Sequence, residues 1–479
     1  MADKREVVSA FGWKFAERVS VQAANFVLTL ILARLLTPED YGLVALILVF
    51  TSIASTFVQG GFNTALIQKK DVTGTDYVSV LGFSFLVAAA LYAALFFAAP
   101  AIARFYRMEL IVPTLRVLAL MLFPAAVNSV QVAHVTRDLR FKILGVCNVA
   151  AMLLAAVVGI AMAHFGFGAW ALVAQQLVNQ TAICVILLAA TRWCPKGRFS
   201  GESVRRLIPF GSRVLGQNLL VQIFMNLRSL ISGRMYTSAD LGYFNRGKSF
   251  PQAIMESVNG TVQTVLLPLY SREQEDPNRV LNMVRTTIRM TSFLIFPVVI
   301  GMACVAEPMV RLLLTEKWLP CVPFLQIFAI GYIFHPTQTS SAQAYKALGD
   351  SRTPLRIEII RKLTELTLLL ISMRFGVLAI ALSTLVNGFV GMCVTFVPNV
   401  RRLGYRLGEQ LADILPALAA SAVMGAAVLL AGRLIGRIWL QLAVQVLVGA
   451  AVYVLLAWLT HMQAYEMIVR MVRRRGKEG

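Results

Sequence analysis

The sequence predicts an all-α polytopic membrane protein with about fourteen transmembrane helices, and three observations predict it. Of its 479 residues, 58% are apolar and only 14% are charged, whereas a water-soluble chain spends about a quarter of its residues on Asp, Glu, Lys and Arg. Apolar segments of ~18 residues or more recur from one end to the other, each long enough to cross a hydrocarbon core of roughly 30 Å. The chain also repeats itself after about 200 residues, with its polar and glycine landmarks in the same order. These features exclude a soluble enzyme, a DNA-binding protein and a receptor with a single anchor.

The spans fall at roughly 12–36, 41–67, 77–100, 110–136, 143–164, 168–190, 207–233, 241–270, 284–306, 319–346, 357–373, 377–397, 411–431 and 438–460. At ~24 residues per slightly tilted helix and ~10 per connection, they take up nearly the whole chain and leave no soluble catalytic domain. Met1 to Glu6 are charged and run into a span without a small-residue cleavage site, so no removed signal peptide is expected. The alternating strands of an outer-membrane barrel are absent, which points to an inner or plasma membrane.

The net charge of +21 becomes a topology signal once its residues are placed. With a cytoplasmic N-terminus, the cytoplasmic segments hold about 28 Lys and Arg and the opposite side about nine. Lys69 and Lys70, Arg137, Arg140 and Lys142, and the tail Arg470, Arg473, Arg474 and Arg475 all fall on the richer side. The positive-inside rule then puts both termini in the cytoplasm. Attraction to anionic headgroups accounts for the basic residues, and nucleic acid is not an expected partner.

The six cysteines show no CxxC spacing and the four histidines stand apart from one another and from acidic neighbours. Buried thiols that act as small apolar groups are expected, with no metal site and no cofactor. No GxSxG elbow, P-loop or paired-carboxylate loop is found, so catalysis is not expected.

The repeat defines the domains. Thr37–Gly42, TPEDYG, recurs as Thr237–Gly242, TSADLG. Phe11-Gly12 matches Phe210-Gly211, Arg34 matches Arg234, Gly60 matches Gly260, and Phe165-Gly166 matches Phe375-Gly376. Leu177-Val178-Asn179 matches Leu385-Val386-Asn387. Each copy holds an even number of spans, so both enter the membrane in the same direction, related by an axis along its normal. The expected architecture is two pseudo-twofold-related six-helix bundles, 1–200 and 201–403, facing each other across a cleft. Helices 13 and 14 and a basic tail, 404–479, have no counterpart. Duplicated bundles that rock about a midplane cavity are a transporter design.

Polar residues inside the spans suggest what the cavity holds, because an ionisable group at mid-helix costs at least about 2.5–3.5 kcal/mol and faces a wet cavity or a partner. Span 1 carries Lys14, Glu17, Arg18, Gln22 and Asn25, of which 14, 18, 22 and 25 form one helical stripe. Span 7 carries Arg213, Gln217, Asn218, Gln222, Asn226 and Arg228, and repeats the stripe with 218, 222 and 226, and with 213 and 217. Lys14 lies where it either lines the cleft or snorkels to the headgroups, and Glu17 where it either pairs with it or couples ions. Arg18 and Arg213 are deeper and are the leading cavity cations, whereas Arg228 reads as an interfacial anchor. The amides either line the cavity or join helices. In span 8, Arg246 is a further candidate and Glu256 is either a paired structural carboxylate or a proton or sodium relay. Pro124 and Pro336 fall mid-span at matching places and read as breaks or hinges, each followed by a glutamine, Gln131 and Gln343. Cations outnumber anions, which suits a phosphate-bearing or acidic substrate.

The stretch from Phe11-Gly12-Trp13 to Leu35-Leu36-Thr37-Pro38-Glu39-Asp40-Tyr41-Gly42 resembles the start of polysaccharide-transport (Wzx-type) flippases of the multidrug/oligosaccharidyl-lipid/polysaccharide exporter superfamily. Leu241-Gly242-Tyr243-Phe244-Asn245-Arg246-Gly247 resembles that family's LGxYxRA segment, with Phe244 and Gly247 where Tyr and Ala are commoner. The likeness runs through both copies and is nearest in character to the colanic-acid or exopolysaccharide exporter branch. It implies a MATE-like fold and movement of undecaprenyl-pyrophosphate-linked sugar repeat units across the bacterial inner membrane, from cytoplasm to periplasm. It also implies membrane lipid, a lipid-linked oligosaccharide, proton or sodium coupling, and polysaccharide polymerase and export machinery as partners. Basic cavity residues engage pyrophosphate or acidic sugars in the family, and Arg18 and Arg213 are the nearest candidates by position. A lipid II flippase and a multidrug antiporter are the alternatives within transport; a membrane glycosyltransferase or polymerase would need a large extramembrane loop for its carboxylates.

Overall fold

A computed structural model describes residues 25–138, 140–350 and 352–478; within its helices, the side chains of 256–265, 267, 268, 277 and 471–478 lie outside the description. Every regular element among the described residues is helical. This follows from the solvent: hydrocarbon offers no partner for a backbone N–H or C=O, and a helix satisfies both within one segment. Contacts divide the chain into two compact units, one ending at Gly242 and one beginning at Tyr243.

The first unit contains α1 (Asn25–Leu35), α2 (Pro38–Gln59), α3 (Phe62–Gln68), α4 (Gly74–Tyr106), α5 (Ile111–Leu118), α6 (Leu122–Arg137), α7 (Phe141–His164), α8 (Ala169–Thr191) and α9 (Gly201–Met235). The helix that opens the second sequence copy, α9, thus packs in this unit. Its core gathers Leu32, Leu46, Ile47, Ile111, Leu115 and Val173, all buried. α10 (Ser238–Arg272) begins in the first unit and continues into the second. There follow α11 (Pro277–Cys304), α12 (Ala306–Leu313), α13 (Val322–Gly331), α14 (His335–Ala347), α15 (Arg352–Ser372), α16 (Val377–Leu403), α17 (Leu407–Arg433), α18 (Ile438–Leu459) and α19 (Gln463–Glu478). Val284, Ile288, Phe296, Ala344, Tyr345 and Tyr405 are buried in its core.

Among the described residues, 10 helices or broken helices are long and apolar enough to cross a membrane. Three more, α9 and α10 of 35 residues each and α15 of 21, have the length but a more polar composition. Two of them, α9 and α10, carry eight of the span residues singled out above. The breaks at Pro124 and Pro336 are present: a 3₁₀ turn at Ala119–Met121 separates α5 from α6, and one at Tyr332–Phe334 separates α13 from α14. Each proline sits in the first turn of the helix that follows, where the missing N–H costs no intrahelical bond. The Gly60 landmark is also a break, with Gly60 and Gly61 at φ 53° and 71° between α2 and α3, whereas Gly260 lies within continuous helix.

The repeated TPEDYG and TSADLG segments are helix starts, and their conserved order has a mechanical reason. Thr37 accepts from Asp40 N–H at 3.3 Å while Asp40 accepts from Thr37 N–H at 3.0 Å, a reciprocal capping box. Thr237 and Asp240 repeat it at 3.1 and 3.2 Å. Two residues beyond each aspartate, the starts of α2 and α10 cross. A Cβ at Gly42 would stand 1.7 Å from Ser238 O, and one at Gly242 would stand 2.1 Å from Pro38 O. Equivalent positions touching reciprocally is the pattern of a local twofold contact, and only glycine admits it.

Two carboxylates tie helices together near their ends. Asp76, 1% exposed, holds Lys69 Nζ and Ser203 Oγ at 2.6 and 2.7 Å, joining α3, α4 and α9. Asp413, 2% exposed, accepts from Arg285 Nε at 2.9 Å, Arg289 Nε at 2.7 Å and the Tyr405 hydroxyl at 2.6 Å. Arg285 also donates to Glu409 at 2.8 Å. These bonds fasten α17, a helix without counterpart in the repeat, to α11. Burial, with Asp413 beside it, pushes the Tyr405 phenol above its ordinary pKa, so it remains a donor.

Gly42→Ala and Gly242→Ala are each expected to destabilise the protein by about 3 kcal/mol, because backbone rather than a side chain must move. Gly216→Ala, where a Cβ meets nothing within 4 Å, should instead leave stability unchanged or raise it by up to about 1 kcal/mol; thermal unfolding of the purified variants distinguishes the two. Asp413→Ala leaves two guanidinium groups facing each other, each only about a quarter exposed, and the same measurement should register a loss of about 3 kcal/mol.

Candidate functional site

The predicted stripe of span 1 is described only at its end. Lys14, Glu17, Arg18 and Gln22 lie outside the described residues, and Asn25 is the exposed first residue of α1. Its repeat mate on α9 is complete. Val204, Leu207 and Gly211 are buried, the last with its Cβ position 3.3 Å from Gly60 O at the α2–α3 break. Arg213, Gln217 and Asn218 are exposed, and Gln222, Asn226 and Arg228 are half-buried. Asn226 turns its amide back on its own helix, donating to Gln222 O at 2.9 Å. The structure therefore presents a guanidinium and, one turn later, two adjacent amides on one long helix. Such an array offers N–H donors to oxygen-rich anions.

Arg246 has a different setting. It is 5% exposed, with its guanidinium 5.2 Å from the centre of the Trp318 ring. α10 approaches this region closely, since a Cβ on Gly247 would meet Phe324 Cβ at 2.6 Å and Leu325 N at 2.8 Å. Phe244 packs edge-on against Phe324 and Phe328, with ring centres 5.9 and 5.2 Å away. The two departures from the LGxYxRA pattern are thus explained by one contact: alanine at 247 would not fit. Glu256 lies on α10, and its side chain is outside the described ones.

Sequence reasoning undervalued a second polar feature, which the paired glutamines signalled. After each break, the following helix buries a short polar face. On α6 this comprises Asn128, Ser129 and Gln131, at 6%, 4% and 3% exposure. On α14 it comprises Ser340, Ser341 and Gln343, at 0%, 0% and 5%. Asn128 donates to Gln180 O at 3.0 Å. Among the described residues, neither amide atom of Gln131 makes a hydrogen bond, and neither do the hydroxyls of Ser129, Ser340 and Ser341 or Oδ1 of Asn387. Beside the α14 face, Gln338 donates to Gly388 O at 3.0 Å, and Gly391 on α16 leaves room for both Gln338 and Arg361 of α15. Arg361 pairs with Glu358 at 3.0 Å and Lys362 with Glu365 at 3.0 Å. Buried polar groups left without partners in a membrane protein are costly and mark surfaces that act on something polar.

No group of three or more His, Cys, Asp or Glu residues suited to a metal ion occurs among the described residues.

Gln131→Leu provides a test of the polar face. Removing a buried, unbonded amide should raise stability by about 1 kcal/mol or more, while a functional face should lose transport activity. Thermal unfolding and a transport assay on the same preparation read both; lowered stability would show that Gln131 is instead a structural link.

Comparison with known proteins places the chain among membrane transport proteins. Residues 31–323 match the family described as polysaccharide biosynthesis protein. The chain is 23% identical to the succinoglycan biosynthesis transport protein ExoT of Rhizobium meliloti (strain 1021), over 98% of this chain and 96% of that one. It is 21% identical to the lipopolysaccharide biosynthesis protein WzxC of Escherichia coli (strain K12), over 69% of this chain and 68% of that one. Among solved structures, the lipid II flippase MurJ in an inward closed conformation is similar at a TM-score of 0.73 and 13% identity, covering 95% of this chain and 99% of that one. An inward-facing multidrug resistance MATE family transporter of the MOP superfamily is similar at 0.62 and 16% identity, covering 81% and 98%. At these identities the structural likeness establishes the fold.

Proposed function

The chain belongs to the polysaccharide biosynthesis protein family, and from that membership we propose how its residues move a lipid-linked polysaccharide across a membrane. It is a multi-pass flippase of the Wzx type within the MOP superfamily. We infer that its cargo is an undecaprenyl-pyrophosphate-linked repeat unit, carried from the cytoplasmic to the periplasmic leaflet of a bacterial inner membrane by alternating access. On this reading the chain performs no catalysis. On the same reading α9, α10, α15 and the 12–36 segment, of which α1 is the described end, cross the membrane with the apolar helices, for a total of about fourteen spans.

The observation that carries this reading is the exposed stripe of Arg213, Gln217 and Asn218 on α9, in a protein whose other long helices are mostly apolar. Pyrophosphate entering a low-dielectric site loses hydration. Fixed guanidinium and amide donors replace the lost water, and the planar fork of arginine matches two phosphate oxygens at once. Arg18, on the span that the repeat makes equivalent to α9, supplies the second cation. The excess of Lys and Arg in the loops supports cytoplasmic termini. Glu17 and Glu256 remain the candidates for proton or sodium coupling, and a polymerase would receive the flipped unit.

Arg213→Ala is expected to slow export of the polysaccharide by roughly ten- to a hundredfold, the worth of one or two charge-assisted bonds, at unchanged protein abundance. Arg213→Lys should recover part of that loss, since it restores charge without the fork. Full recovery by Lys would assign Arg213 to the headgroup region instead. Reconstituted vesicles given either a lipid-linked repeat unit or lipid II separate the two flippase readings, and preferential movement of lipid II would overturn the one proposed.

A further inference from the structure

A cavity of about 570 Å³ lies in the second unit, between α11, α17, α18 and the start of α19. Its volume falls in the range of small-molecule pockets. Phe293, Pro416, Ala420, Val423 and Leu456 give it apolar walls, whereas Arg285, Arg289, Thr460, His461 and Gln463 stand at its other end. The separation is built into the helices. Arg285, Arg289 and Phe293 are successive turns of one face of α11, and the lining of α17 runs from Ala412 to Val423, roughly 16 Å at 1.5 Å per residue. An elongated apolar hollow with a polar mouth has the form of an amphiphile.

The charge at the mouth narrows the choice. Asp413 is buried and already engaged by Arg285, Arg289 and the Tyr405 hydroxyl. Each guanidinium carries about five N–H donors, and the bonds to Asp413, Glu409 and Gln463 engage three on each arginine. Both arginines stay about a quarter exposed. Exposed His461, at φ 48°, turns the chain from α18 into α19, where Glu466 faces both His461 at 3.6 Å and Arg470 at 3.1 Å. Asp413 and Glu409 balance the two arginines in charge, so the mouth offers the spare N–H donors of two fixed guanidinium groups, which suit the phosphate of a lipid headgroup between transmembrane helices.

We propose that this cavity holds a resident anionic phospholipid of the surrounding bilayer, with an acyl chain along α17 and its phosphate at the Arg285–Arg289 mouth. The cavity belongs to a different unit from the α9 stripe, and all of its wall except α11 comes from the appended helices α17, α18 and α19, so its occupant is bound rather than transported.

The test compares phosphatidylglycerol with phosphatidylcholine on the purified full-length protein, by native mass spectrometry of retained lipid and by titration of each into delipidated protein. Phosphatidylglycerol is expected to bind about tenfold more tightly. Gln463→Glu places a carboxylate against Arg289 at an exposed position that folding does not require, and it should erase that preference while leaving phosphatidylcholine binding unchanged. Ala420→Phe fills the hollow and should weaken both lipids by about tenfold or more. Equal binding of the two lipids by the unmodified protein, or an undiminished preference in Gln463→Glu, overturns the proposal. So does complete displacement of phosphatidylglycerol by inorganic phosphate, which would mark a free-anion site, or by undecaprenyl phosphate at equal concentration, which would mark a carrier-lipid site.

Discussion

Hydrocarbon cannot hydrogen-bond, so a polar group placed in it must be answered by another part of the same chain. That constraint runs through every part of this protein. It makes each regular element among the described residues a helix, and it places Pro124 and Pro336 in first turns, where no intrahelical bond is forfeited. It explains why Thr37 with Asp40 and Thr237 with Asp240 close capping boxes at the two equivalent helix starts. Asp413 meets the same demand by gathering two guanidinium groups and a phenol.

Polar residues that escape this arrangement carry the functional meaning. α9, α10 and α15 are long enough to span, yet less apolar than the other long helices. On α9 Val204, Leu207 and Gly211 pack, whereas Arg213, Gln217 and Asn218 are exposed along with Leu220 and Val221. On α6 and α14 the polar faces are buried at matching places after matching breaks, with several atoms lacking a hydrogen bond among the described residues. A duplicated unit has therefore kept its break and the polar face after it in both copies, whereas the Gly60 break did not persist at Gly260. On the function proposed above, these residues meet a strongly polar lipid-linked cargo, and a low dielectric around them would make each donor effective.

The appended helices follow another logic. α17 lacks a counterpart in the repeat, and its ties to α11 through Asp413 and Glu409 make it part of the second unit's core. The same ions form the mouth of the cavity beside α18 and α19, so one cluster serves both packing and the shape of the lipid-facing side.

Apolar length and turn chemistry are local properties, so the order and ends of the helices were legible in the residues themselves. The long described helices match the spans read from hydropathy in order, with ends that differ by up to seven residues, whereas α12 and α19 were not among the spans. The stripe on α9 was legible for the same reason, because three- and four-residue spacing defines a helical face. Arg246 shows the limit: a basic residue within a span marked it as a candidate, but burial against Trp318 depends on which helix lies beside α10. The reciprocal approach of Gly42 and Gly242 joins positions 200 residues apart in the chain, and Arg285 meets Asp413 across 128. α19 was read only as a basic tail, since its apolar side acquires meaning where Met462 and Ala464 bury themselves beside Phe293 and Tyr453. Periodicity states which face of a helix is polar; which helix meets that face is settled by contacts between distant segments, and no local pattern encodes those.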